Sequence, residues 1–64
     1  MTAVEQIQDI AARIARYPGR TIQEMISGHT VSGRLIVAKG DERGVYKLDG
    51  QRIAYPELLR LFHE

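Results

Sequence analysis

The chain has no cysteine. Disulfides therefore cannot staple it, and no thiolate metal site exists. A cysteine-free composition fits a cytosolic protein, so a cytoplasmic location is the expectation. No apolar run reaches about 18 residues, which excludes a transmembrane helix. The N-terminus has neither the basic region nor the apolar block of a signal peptide. A dominant charge is missing too: nine Lys and Arg stand against eight Asp and Glu, for a net charge of +1. That is far from the basic footprint of many DNA-binding modules, and it argues equally against a highly acidic mimic of DNA.

The means of catalysis are also sparse. Two histidines lie far apart, with no H-E-x-x-H motif, so no metal site is expected. Gly40 and Gly44 are not followed by Lys-Ser/Thr, so no phosphate loop is present and no cofactor is expected. Ser27, His29 and Ser32 lie close together but fall at helix-end and strand positions rather than in a nucleophile–base arrangement. Asp41 and Glu42 are adjacent acids in a turn, and so short a chain can hardly supply the cleft that carboxylate catalysis needs. The expectation is a protein that is not an enzyme.

What is present is periodicity. The 64 residues make one domain, 1–64, which buries about 60% of its unfolded surface. Thr2-Ala3-Val4-Glu5 is a capping box. It opens a helix over about Ala3 to Arg16, with Val4, Ile7, Ala11 and Ile14 on one stripe and Ile10 and Tyr17 beside it. Pro18-Gly19 ends that helix. Thr21-Ile22-Gln23-Glu24 reads as a second capping box, opening a short helix to about Ser27 with Gly28 as its stop. Three strands follow, roughly Val31–Lys39, Val45–Leu48 and Gln51–Tyr55. Pro56 opens a C-terminal helix of about two turns, with Leu58, Leu59, Leu61 and Phe62. The fold class is α+β: long helix, short helix, three-stranded antiparallel meander, short C-terminal helix.

Asp49-Gly50 is a hairpin signal that pairs Leu48 with Gln51 and Tyr46 with Ile53. Glu42-Arg43-Gly44 suits a longer turn that pairs Asp41 with Val45. Alternation then puts Ile36, Ala38, Tyr46, Leu48, Ile53 and Tyr55 on the core face. Leu35, Val37, Lys39, Val45, Lys47, Arg52 and Ala54 fall on the other face. The expected core is Val4, Ile7, Ile14, Ile36, Tyr46, Leu48, Ile53, Leu58 and Phe62.

The second face joins an apolar centre to a cationic rim, the anatomy of a protein interface. Its candidate binding residues are Arg34, Leu35, Val37, Lys39, Val45, Lys47 and Arg52. Strand tyrosines point away from it, so nothing there stacks on bases. A protein partner is the first expectation. The type is that of small phage or mobile-element inhibitors and adaptors that bind a host complex, by association rather than derivation. Self-association as a dimer through the Leu35/Val37/Val45 strip or the last helix is also expected.

A second reading rests on resemblance. Tyr17 to Met25, Tyr-Pro-Gly-Arg-Thr-Ile-Gln-Glu-Met, resembles the junction of the first two helices in winged helix-turn-helix proteins. Thr30-Val31-Ser32-Gly33-Arg34-Leu35 is similar to the start of their recognition helix, and Val45 to Ile53 to their wing. The resemblance implies a DNA-binding regulator with Thr30, Ser32, Arg34 and Lys39 facing DNA. The chain departs from the pattern: Thr21 and Thr30 stand close together, and Gly33 and Leu35-Ile36-Val37 sit poorly in a helix. The conformation of residues 30–39 separates the two readings.

Overall fold

A computed structural model describes residues 1–63. Its elements run α1 Ala3–Arg16, β1 Thr21–Ile26, β2 His29–Ala38, β3 Asp41–Leu48, β4 Gln51–Ile53 and α2 Tyr55–Phe62. The strands form one antiparallel meander in chain order, and both helices pack on the same side of it. The class is α+β, with four strands among the described residues where three were expected.

The first helix follows its sequence signals. The Glu5 N–H donates to Thr2 Oγ1 at 3.1 Å, and the Thr2 N–H donates back to Glu5 Oε1 at 3.2 Å. The Thr2 N–H first, and then the Thr2 hydroxyl, hold the Glu5 carboxyl below its ordinary pKa. Ile7, Ile10 and Ile14, spaced three and four apart, are essentially solvent-free. After the Pro18 stop, the Gly19 N–H donates to the Leu35 carbonyl at 2.8 Å, which lays the chain directly against β2.

The expected second helix is instead β1. A helix of under two turns is marginal without docking, whereas Thr21–Ile26 pairs along its whole length with residues 29–34. Its burial alternates, with Ile22, Glu24 and Ile26 turned toward α1 and Thr21, Gln23 and Met25 exposed. Glu24 does not cap a helix. It accepts from Arg13 of α1, which also holds Asp9.

The turn after β2 is Lys39-Gly40, which puts Ala38 opposite Asp41, so the expected Asp41–Gly44 turn is not formed. Ser27-Gly28, Lys39-Gly40 and Asp49-Gly50 all have positive φ at both positions, near 50° and 83°. That is the two-residue type I′ geometry, whose twist matches the flanking strands. The shift in turn position flips β2, because side chains alternate along a strand. Val31, Gly33 and Leu35 face the helices, while Ile36 and Ala38 face the other way and are exposed. Tyr46, Leu48 and Ile53 lie on the core side as expected, and the Leu48–Gln51 and Tyr46–Ile53 pairs form.

Buried are Ile7, Ile10, Ile14, Ile26, Val31, Tyr46 and Leu58, with Leu48, Ile53 and Phe62 packed against them. Val4 is half-buried, and Ile36 does not belong to the core. Tyr46 is the centre. Its ring contacts Tyr55 of α2, with centroids 5.0 Å apart, and burial raises its phenol pKa. A Cβ on Gly33 would stand 3.0 Å from Ile10 Cγ2 and 3.1 Å from Tyr46 Cε1. A Cβ on Gly44 would stand 3.1 Å from Tyr46 Cε2.

Gly33→Ala should therefore cost about 1–3 kcal/mol by overpacking, and Ile7→Ala about 2–5 kcal/mol by leaving a cavity. Urea denaturation measures both. A neutral Gly33→Ala would mean that α1 and Tyr46 sit further from the sheet than described.

Candidate functional site

Because both helices cover one side of the sheet, the opposite face is left bare, and the registers place its side chains in rows. One row is Gln23, Ser32, Lys47 and Arg52; the next is Thr21, Arg34 and Val45. Further along the β2–β3 ribbon come Ile36 opposite Arg43, then Ala38 opposite Asp41. Met25 and Thr30 close the other end.

The charges on this face are one-sided. Arg34, Arg43, Lys47 and Arg52 project from it, and Asp41 is its sole carboxylate among the described residues. None of the four cations is in an ion pair among the described residues, where the pairs are Arg13–Asp9, Arg13–Glu24, His29–Asp49 and Arg60–Glu57. Lys47 stands directly opposite Arg52, a like-charge pair that destabilises a sheet unless something neutralises it. A shallow depression of about 330 Å³ opens among Gln23, Ser32, Arg34 and Lys47. Apolar side chains share the face: Ile36, opposite Arg43, is 44% exposed, and Met25, at the end beyond the cations, is 66% exposed.

Of the residues singled out in the sequence, Arg34, Val45, Lys47 and Arg52 come together here. Leu35 does not: it is turned inward and packs against the core. Val37 shares the helix side of β2, beyond the helices, and Lys39 stands at the tip of the turn. The Leu35/Val37/Val45 strip is therefore divided between two faces, as the flipped register of β2 requires. Sequence reasoning missed Gln23, Ser32 and Ile36 on the open face, since their places depend on β1 being a strand and on the Lys39-Gly40 turn. Residues 29–38 form a strand, so no recognition helix carries Thr30, Ser32 and Arg34.

Asp49 braces one end of the face. The His29 Nδ1–H donates to Asp49 Oδ2 at 2.8 Å and the Thr30 N–H to Oδ1 at 3.0 Å. The Asp49 N–H in turn donates to the Thr30 carbonyl at 2.8 Å. One turn residue thus ties the β3–β4 hairpin to the start of β2. No group of three or more metal-ligating side chains occurs among the described residues, and no described helix is long and apolar enough to cross a membrane. Comparison with protein-family models, curated proteins and solved structures returns no match.

The hydrogen bond from His29, then that from the Thr30 amide, lowers the Asp49 pKa below its ordinary 3.8. A carboxyl lowered on folding stabilises the fold above its unfolded pKa, and that contribution is lost as pH falls through the folded value. The melting temperature of the wild type should therefore drop as pH falls below 3.8 more steeply than that of Asp49→Asn. Parallel pH profiles for the two proteins would show that the brace carries no stability.

Proposed function

We propose that the chain is a non-enzymatic binding protein that holds an acidic protein surface against the open face of its sheet. The observation that carries this reading is the unneutralised set of Arg34, Arg43, Lys47 and Arg52 on a face with one carboxylate, in a chain whose net charge is +1. Segregating charge in this way costs self-repulsion in the free protein and is recovered when an anionic surface docks. Exposed Ile36 and Met25 favour protein over nucleic acid, since a phosphate backbone has no use for aliphatic side chains. Aromatics that would stack on single-stranded bases are absent from the face. Arg52 is the best single anchor, because arginine forks onto carboxylates and is enriched among interface hot spots. An inhibitor or adaptor that occupies an acidic patch on a larger protein complex fits this design.

The double variant Lys47→Glu/Arg52→Glu should keep the fold and weaken partner binding by about thirtyfold or more. Partners recovered from the native host supply the ligand, and calorimetry supplies the affinity. Affinity for an acidic protein should fall modestly with salt. Duplex DNA held by four cations would instead give a log–log slope of about −3.6, and would transfer the face to nucleic acid. Unchanged affinity in the folded double variant would remove the face from function.

A further inference from the structure

The sheet has two outer edges, and they are not alike. β4 is three residues long, and shortness is itself a guard against pairing with other chains. β1 is twice that length and contains no Lys, Arg or Pro, the residues that usually blunt an edge. Its one charged residue, Glu24, is on the helix side and is held by Arg13.

The direction of its backbone groups follows from two hydrogen bonds. The Leu35 carbonyl accepts from Gly19, on the β1 side of β2, and the Thr30 carbonyl accepts from Asp49, on the β3 side. In an antiparallel strand the N–H and C=O of one residue point to the same neighbour, and the direction alternates along the chain. Odd residues of β2 therefore bond toward β1. Their partners Ile22, Glu24 and Ile26 point inward, which leaves the N–H and C=O of Thr21, Gln23 and Met25 aimed outward. These three residues are exposed.

We propose that this edge is completed by the same edge of a second copy, in antiparallel register about a two-fold axis at Gln23. Gln23 then faces Gln23 of the second copy, and Thr21 faces Met25 in both directions. Each facing pair exchanges two backbone bonds, about six in all. The register is self-complementary in charge. On the helix side Glu24 falls opposite Ile22 rather than opposite its own counterpart, and each Glu24 keeps its Arg13. On the open side no charge from β1 meets another, and the exposed Met25 side chain gains a neighbour. A foreign strand would need a sequence suited to this edge, whereas the second copy brings one. Thr21 and Gln23 end the two rows of the proposed partner face, but the pairing uses their outward backbone groups, whereas the cations of that face stand on β2, β3 and β4.

Sedimentation equilibrium of the full chain tests this. The expected species at micromolar concentration has twice the 7.2 kDa chain mass, with the amides of Gln23 and Met25 slow to exchange with deuterium. Gln23→Lys sets two like charges opposite each other and should give a folded monomer, checked by circular dichroism. Gln23→Pro removes an outward N–H at a site where an edge strand tolerates proline, and it should do the same; should it fail to fold, Gln23→Lys decides. Lys47→Glu/Arg52→Glu should leave the dimer intact, so loss of partner binding and loss of self-pairing are separable. A wild type of 7.2 kDa at high micromolar concentration, or a dimer unmoved by Gln23→Lys, overturns the proposal.

Discussion

The Tyr46 ring spans two glycines, Gly33 across the ladder and Gly44 two residues back on its own strand, and the architecture depends on that contact. Without a Cβ at either position, an aromatic side chain can settle close to the backbone of the β2–β3 pair. A glycine in a strand weakens it by entropy and by lack of a side chain to pack, and a neighbouring aromatic offsets that loss. The same ring meets Tyr55 of α2, and Ile10 of α1 approaches the site over Gly33. Sheet, long helix and short helix are thus joined at one residue. A second aromatic contact, Phe62 edge-on to His29 at 5.8 Å, fastens the far end of α2 beside the Asp49 brace.

That economy decides what is left uncovered. A chain of 64 residues has enough helix to shield one side of a four-stranded sheet and no more. Beyond Leu35 even the helix side thins out, and Val37 is half exposed on a two-stranded ribbon. Apart from Asp41, the acids among the described residues lie on the helices, in the Asp49 turn and on the helix side of the strands, and both Asp9 of α1 and Glu24 of β1 are drawn to Arg13. The open face is left cationic. Charge is therefore sorted by the fold although the composition is nearly balanced, and no tally of Lys, Arg, Asp and Glu could reveal it.

What was legible in the sequence is what local chemistry decides. The Thr2 capping box, the isoleucine stripe of α1, the Asp49-Gly50 hairpin and the proline at the start of α2 each carry their own signal. The faces of β3 and β4 follow from that hairpin, and so does the facing of Lys47 and Arg52. What was not legible depends on distant partners. Thr21-Ile22-Gln23-Glu24 reads locally as a helix start, and it becomes a strand because β2 is available to pair with it and Arg13 is there to hold Glu24. Lys39-Gly40 competes with Glu42-Arg43-Gly44 for the same reversal, and lysine with positive φ is not a residue the turn advertises. The choice between those turns changes the strand parity by one, and with it the side on which Leu35 and Ile36 lie.

Pairing at the β1 edge would also change what the open face can do. Neighbouring strands of one sheet share their faces, so both cationic faces would lie on the same side of an eight-stranded sheet. From β3 through the two-fold to β3 of the second copy there are five strand intervals, about 24 Å at 4.7–4.9 Å each. The two Lys47–Arg52 clusters would then be spaced for an acidic partner with two docking points, or for a partner that is itself two-fold symmetric. Engagement of the second site becomes intramolecular once the first is bound, which raises avidity without any new contact. A face with four cations, modest for one copy, gains strength in this way through its neighbour. The uncharged edge and the charged face therefore suit a common purpose, since a cation on β1 would strengthen the face of a single copy and weaken the pairing that doubles it.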